Sequence, residues 1–168
     1  YVAGAGSYTG DPIAQFNHIW GVESAEVAAA GMSALHVVDV RQPSRPRVVG
    51  RYVSPSFVEG VVARGRHAFI ADGLAGLLVV DVGDAARPQV VAVLSTGGAP
   101  HDATLDDDRL YVADGPAGLK VFDVTEPQAP LLVGAIDTPG EAMGAAVVGA
   151  RLYLADGAGG LRTFDISD

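Results

Sequence analysis

The chain has 168 residues, which is enough for one domain with a hydrophobic core. With 49% hydrophobic and 18% charged residues it should fold, and its net charge of −9 argues against nucleic-acid binding, which depends on lysine and arginine. It has no cysteine, which excludes disulfides, thiolate zinc sites and a cysteine nucleophile. No apolar run approaches the roughly 18 residues of a membrane span, so we expect no membrane insertion.

A sequence repeat with a period of 42 residues runs through the chain. An apolar run opens with a leucine and closes with an aspartate in each copy. The leucines are Leu35, Leu77, Leu119 and Leu161, and the aspartates are Asp39, Asp81, Asp123 and Asp165. The first copy has diverged most. An array of this kind predicts one structural unit per repeat.

The predicted elements follow this period in chain order. Residues 1–15 form an N-terminal segment and a candidate closing strand, and the four copies occupy residues 16–52, 58–94, 100–136 and 142–168. In the second copy, four short apolar runs predict strands that begin at Glu59, His67, Gly76 and Pro88. A unit of about 40 residues with four strands is typical of a propeller blade. We therefore predict an all-β fold, a β-propeller of about four four-stranded antiparallel blades.

The last copy stops where a fourth strand is due, after "LRTFDISD". Residues 1–10 could supply that strand and close a four-blade ring, but they lack the expected proline and valines. We therefore favour a piece of a larger propeller. Its exposed sheet edges would predict self-association.

The repeat resembles a known family. Residues 111–124 read "YVADGPAGLKVFDV" and are followed by Pro127, Pro130 and Gly134, and residues 69–82 with Pro88 carry the same pattern. This pattern is similar to the LVIVD repeat of bacterial and archaeal surface proteins. The resemblance implies four-stranded propeller blades and an extracellular or cell-surface location, and it implies no catalytic residues.

The loops that enter the innermost strands are the best candidates for a site. Asn17, Glu59, His101 and Met143 occupy equivalent positions there and differ in kind, although the surrounding scaffold repeats. Function in a repeat protein is expected where loops vary on a constant frame. The candidate ligand-binding residues are Asn17, His18, Trp20, Glu59, His101, Asp102 and Glu141.

The repeated aspartates are predicted to be structural. Asp72, Asp114 and Asp156 precede glycine, so we expect each to accept backbone N–H bonds in a tight hairpin. Ala30 replaces this aspartate in the first copy. The run-closing aspartates should find backbone amides of a turn or of a neighbouring blade, because an unpaired buried charge is costly.

The position next to the run-opening leucine varies most, so we expect it to face solvent. It is held by His36, Leu78, Lys120 and Arg162.

Three functions remain open. The first is a non-catalytic surface or secreted module that binds a protein or glycan through the loop face at the channel mouth. The second is a hydrolase or lyase that uses His101, Asp102 and Glu59, and the third is a purely structural scaffold. The chain has no phosphate loop, hydrolase elbow or recognised metal-ligand spacing, so we predict no cofactor and no metal.

Overall fold

The computed structural model describes residues 33–54 and 56–167, where thirteen β-strands form four antiparallel sheets. Two short 3-10 turns, Gly73–Ala75 and Gly157–Gly159, precede β5 and β13. No helix in these two ranges is long and apolar enough to cross a membrane. The strands are β1 Ser33–Asp39, β2 Arg47–Ser54, β3 Gly60–Arg64, β4 His67–Asp72, β5 Gly76–Asp81, β6 Gln89–Leu94, β7 Asp102–Asp106, β8 Arg109–Ala113, β9 Leu119–Asp123, β10 Leu131–Ile136, β11 Gly144–Val148, β12 Arg151–Ala155 and β13 Leu161–Asp165.

Each sheet is one blade. Blade 2 has the strand order β3-β4-β5-β6 and blade 3 the order β7-β8-β9-β10, which confirms the predicted four-stranded antiparallel unit. The described residues supply the third and fourth strands of blade 1, β1 and β2, and the first three strands of blade 4, β11 to β13. The sequence period therefore corresponds to one blade.

The first strands of blades 2, 3 and 4 lie innermost. Strand β7 contacts β3 on one side and β11 on the other, so these three strands lie next to one another in the array. The outermost strand of a complete blade is its fourth, as in β6 and β10. Because alternate connections of an up-and-down sheet share a side, the loops entering β3, β7 and β11 share one face with the turns that carry Asp72, Asp114 and Asp156. We call it the loop face.

The hydrophobic core lies between consecutive blades. We call the side of a blade that packs on the following blade its front and the side that packs on the preceding blade its back. Phe69, Leu77 and Val79 on the front of blade 2 pack against the back of blade 3. The residues contributed by that back are Ala103, Leu110, Val112, Phe122 and Val124. Because both sides of such a strand are covered by neighbouring blades, its apolar residues occupy consecutive positions instead of alternating with polar residues.

The prediction that the most variable strand position faces solvent is wrong. Leu78 is buried on the back of blade 2, where it packs with Leu35 and Val37 of blade 1. His36, Lys120 and Arg162 are half-buried.

Candidate functional site

Glu59, His101 and Met143 share one backbone arrangement. Each backbone N–H donates a hydrogen bond to the alanine carbonyl that lies twelve residues later, with distances of 2.9, 2.9 and 2.8 Å. These bonds fix the entry to the innermost strand in three blades. The side chains are therefore free to differ on a constant frame.

Three of the predicted residues converge at the channel mouth. Nδ1 of His101 in blade 3 is hydrogen-bonded to Oε2 of Glu59 in blade 2. Nε2 of the same imidazole lies 3.8 Å from Oε1 of Glu141 in the loop entering blade 4. We call Glu59, His101 and Glu141 the channel-mouth cluster. Glu59 and Glu141 are exposed and His101 is half-buried, so the two carboxylates present negative charge at the surface.

The imidazole of His101 is oriented by one carboxylate. With Glu59 accepting, Nδ1 carries the proton and donates it, which leaves Nε2 as the acceptor in the neutral ring. Nε2 has no hydrogen-bond partner in the described part of the chain. Nε2 is also buried, so the groups of this cluster that reach the surface are the two carboxylates. Among the described residues, no group of three or more histidines and carboxylates is arranged to hold a metal ion.

Asp102 occupies a position where both neighbouring inner strands carry glycine. The equivalent residues are Gly60 in β3 and Gly144 in β11. A Cβ atom at Gly60 would lie 2.8 Å from the carbonyl oxygen of His101 and 2.9 Å from Cα of Asp102, so a side chain has no room there. Asp102 Oδ2 accepts a hydrogen bond of 3.2 Å from the Ala145 N–H of blade 4. Burial raises the pKa of the Asp102 carboxyl, and this bond joins it to the scaffold.

The aspartates of the loop-face turns are fully buried, and each is hydrogen-bonded to a hydroxyl at the end of the preceding blade. We call these contacts the aspartate–hydroxyl pairs. They are Asp72 with Ser54, Asp114 with Thr96 at 2.6 Å, and Asp156 with Thr138 at 2.5 Å. The hydroxyl lies 18 residues before its aspartate and belongs to the preceding blade. The predicted hairpin amides are therefore not the partners, and the pairs join consecutive blades.

The surroundings of these aspartates differ between blades 2 and 4. Oδ2 of Asp156 also accepts hydrogen bonds from Nε of Arg162 at 2.8 Å and from the Gly140 N–H at 3.2 Å. Burial would raise the pKa of Asp156, but the bonds from the hydroxyl and from Arg162 outweigh it and lower the pKa. Leu78 stands in place of Arg162 in blade 2, and there burial raises the pKa of Asp72.

Burial likewise raises the pKa of Asp114. Lys120 occupies the position of Arg162 in blade 3 and acts on Asp114 through its charge.

The run-closing aspartates accept backbone N–H bonds from their own turns. Oδ1 of Asp81 accepts from the Gly83 N–H at 2.8 Å, while Arg66 donates to Oδ2 at 2.6 Å. The Arg66 guanidinium holds the pKa of Asp81 below its usual value. Asp39, Asp123 and Asp165 accept the N–H two residues later in the same way. In blades 1 to 3 these contacts stabilise the connection to the fourth strand.

Three large apolar side chains are exposed on the same loop face as the channel-mouth cluster. They are Phe57, Leu74 and Met143, and Leu74 is 86% exposed. A Cβ atom at Gly73 would lie 3.6 Å from Cβ of Phe57, which places Leu74 and Phe57 in adjacent loops. Sequence reasoning did not select Phe57 or Leu74. Comparison of the copies could have found them, because Phe57 aligns with Ala99 and Glu141, and Leu74 with Pro116 and Ala158.

The remaining predicted site residues, Asn17, His18 and Trp20, lie outside the described residues.

The chain is similar to a known sequence family and to several solved structures. The LVIVD repeat matches residues 29–54, 57–96, 97–138 and 139–168. No curated protein matches the sequence. Among solved structures, the computationally designed protein Ika8 superposes with a TM-score of 0.54 at 10% identity, covering 72% of this chain and 42% of that one.

Two natural proteins show the same degree of structural similarity. Glutaminyl cyclase from Myxococcus xanthus has a TM-score of 0.52 at 19% identity, with 72% of this chain and 52% of that chain covered. A chain of a nidogen/laminin complex has a TM-score of 0.52 at 15% identity, with 74% and 48% covered. The chain thus spans about half the length of the solved structures it matches. At these identities the similarity concerns the fold.

Proposed function

Because the chain belongs to the LVIVD repeat family, we propose that it is a non-catalytic β-propeller module of a surface or secreted protein. It binds a protein or glycan ligand through the loop face. The observation that carries this proposal is the channel-mouth cluster, in which non-repeating side chains from three blades meet on a backbone that repeats.

The chemistry of the loop face favours a ligand with basic and apolar groups. Glu59 and Glu141 flank His101, and the whole chain carries a net charge of −9. Leu74 and Met143 add exposed apolar surface to the same loop face. Complementary charge steers association, whereas apolar contacts at the centre of an interface supply most of the affinity. A protein surface with lysine or arginine beside aliphatic side chains fits both features.

A binding experiment on defined arrays tests the proposal. The labelled chain is applied to one array of purified bacterial surface proteins and to one array of glycans. The double variant Glu59→Gln and Glu141→Gln should weaken binding to the ligand by about tenfold or more, because it removes both carboxylates of the cluster. Added salt should weaken the wild-type interaction as well.

The matched control removes two carboxylates from the opposite face. Asp106→Asn with Asp107→Asn makes the same change of charge in the exposed β7–β8 turn. Binding should be unchanged in this variant. Loss of binding in the control together with full binding in the cluster variant would overturn the proposal, and signals confined to the glycan array would identify the ligand as a glycan.

One observation favours a second function. His101 is oriented by Glu59 through Nδ1, which is the arrangement of a general base and its orienting carboxylate. A hydrolase or lyase could use this pair at the channel mouth. The test is turnover of a panel of ester, glycoside and uronate substrates by wild type and by His101→Ala. Turnover that disappears in His101→Ala while the melting temperature is unchanged would replace the binding module with an enzyme.

A further inference from the structure

Nε2 of His101 is a buried acceptor that faces other acceptors. It has no hydrogen-bond partner in the described part of the chain, and Oε1 of Glu141 lies 3.8 Å away. A Cβ atom at Gly115 would lie 3.4 Å from Nε2, so the ring also packs against the β8–β9 turn that carries Asp114. A carboxylate cannot donate a hydrogen bond to the lone pair of a neutral ring. Glu141 and the ring are therefore close together without a bond between them.

A proton on Nε2 would turn this contact into a bond. The neutral ring donates from Nδ1 alone, to Glu59, whereas an imidazolium donates from both nitrogens. Glu141 is exposed, so rotation of its side chain can bring the carboxylate from 3.8 Å to hydrogen-bond distance. Protonated His101, in blade 3, would then hold the carboxylates of the loops entering blades 2 and 4 at the same time.

Carboxylates face the ring from the elements packed on it. Glu59 lies in the loop entering β3 and Glu141 in the loop entering β11. Asp114 lies in the β8–β9 turn, where its charge interacts with the ring and with Lys120 of β9. Asp102 follows the ring on β7, but its carboxylate is bonded to the backbone of blade 4. A positive charge on the ring would therefore have negative charges on three sides.

We infer that a proton taken up from solvent at Nε2 of His101 bonds Glu141 to the ring and releases a basic ligand from the loop face. This inference rests on the proposed function, because it concerns the same carboxylates. With a neutral ring, Glu59 and Glu141 offer two negative charges to lysine or arginine groups of the ligand. The protonated ring occupies an oxygen of each carboxylate and adds a positive charge, which leaves one net negative charge in the cluster. Acid therefore weakens binding.

NMR spectroscopy of the whole chain, with labelled histidine rings and glutamate carboxyl groups, tests the proton site without a ligand. Nδ1 of His101 should carry the single ring proton at about pH 8, and Nε2 should carry a second one at about pH 5.5, since histidine ordinarily changes charge in this range. The carboxyl carbon of Glu141 should change its chemical shift in step with the ring. Glu126, an exposed residue of the β9–β10 connection, is the matched control and should show no such step.

The same titration can overturn the inference. A single ring proton on Nε2 at about pH 8 would mean that Glu59 does not set the tautomer. A Glu141 signal that stays constant while the ring takes up its proton would mean that the two groups do not bond. A Glu141 step that persists in His101→Gln would mean that another group causes it.

Binding at the two pH values tests the release of ligand. The labelled chain is applied to the array of purified bacterial surface proteins at about pH 8 and at about pH 5.5. Wild-type binding should be about fivefold weaker in acid, because one of two negative charges is neutralised. His101→Gln should show a ratio near one, whatever its affinity at the higher pH. His67→Gln is the matched control and should keep the wild-type ratio, since His67 lies beside the β3–β4 turn on the opposite face.

Two results of the binding experiment would overturn the release of ligand by acid. They are wild-type binding that does not change with pH, and a fivefold loss that persists in His101→Gln. The absence of any bound protein at about pH 8 would instead overturn the proposed function. The NMR titration distinguishes the two failures, because it decides the proton site whether or not a ligand is found.

Discussion

The loop face carries two sets of residues that differ in repetition and in burial. The aspartate–hydroxyl pairs recur at intervals of 42 residues, are buried, and join one blade to the next. The channel-mouth cluster lies on the same face and is built from side chains that do not recur. Repetition in this chain therefore marks the residues that hold blades together, and its absence marks the residues that are available to a ligand.

The largest loss of stability is expected where a substitution crowds a turn that carries an aspartate–hydroxyl pair. A Cβ atom at Gly98 would lie 2.2 Å from the carbonyl oxygen of Asp114 and 2.8 Å from Cβ of Ala117, so Gly98→Ala must displace the turn. We expect the free energy of unfolding to fall by about 3 kcal/mol, the upper part of the usual range for overpacking. Urea unfolding followed by circular dichroism measures it. A stability equal to that of wild type would mean that the turn moves to accommodate the added methyl group without loss of free energy.

Removal of one hydroxyl should have a smaller effect. Thr96→Val leaves the buried Asp114 without its hydroxyl donor and should cost about 1–2 kcal/mol. Thr104→Val is the control, because the equivalent residue in blade 2 is Val62 and the strand already accepts valine there. Equal losses in the two variants would show that the aspartate–hydroxyl pair adds nothing beyond ordinary strand packing.

The two classes of aspartate should respond to pH in opposite directions. Burial raises the pKa of Asp114, so its stabilising contribution is complete below the unfolded pKa of about 4 and is lost as pH rises through the folded pKa. The pKa of Asp156 is lowered despite its burial, because bonds from Thr138 and Arg162 outweigh that burial, so its contribution is present above about 4 and is lost as pH falls further.

Urea unfolding of Asp114→Asn and Asp156→Asn across this pH range measures the effect. The stability of wild type relative to Asp114→Asn should decrease as pH rises from about 4 towards neutrality. The stability of wild type relative to Asp156→Asn should decrease as pH falls below about 4. Curves with the same slope for both variants would contradict the assignment of Arg162 as the residue that distinguishes the two sites.

The smallest effect is expected at the channel mouth. Glu59→Gln with Glu141→Gln should change the free energy of unfolding by no more than about 0.5 kcal/mol, which is usual for surface positions. The same urea titration measures it. A loss of stability as large as that of Thr96→Val would show that Glu59 and Glu141 are structural in the same way as the aspartate–hydroxyl pairs. The distinction between the channel-mouth cluster and these pairs would then be wrong.

The period and the blades could be predicted from the sequence because they depend on local signals. Apolar runs of four to seven residues bounded by glycine, proline or aspartate indicate strands, and their recurrence every 42 residues indicates one blade per copy. The convergence of Glu59 and His101 also follows from the period, since equivalent positions in neighbouring blades are neighbours in space. The LVIVD match and the sheets confirm this architecture.

The contacts between blades could not be predicted in the same way. The partner of Asp114 lies 18 residues earlier and in another blade, so no hairpin rule identifies it. A signal was nevertheless present, because Ser54, Thr96 and Thr138 also recur every 42 residues. In the first copy the two corresponding positions are Pro12 and Ala30, so hydroxyl and carboxylate are absent together. The burial of Leu78 was missed because variability was equated with exposure.

The aspartate–hydroxyl pairs also determine which fragment boundaries keep the contacts of a blade intact. Ser54 is the last residue of the last strand of blade 1. Its hydroxyl nevertheless stabilises blade 2, because it donates a hydrogen bond to Asp72. A fragment that begins at Phe57 keeps β3 to β6 and leaves Asp72 without that donor. The segment that folds as a unit is therefore offset from the sequence repeat, and excised or transplanted blades should begin before Ser54.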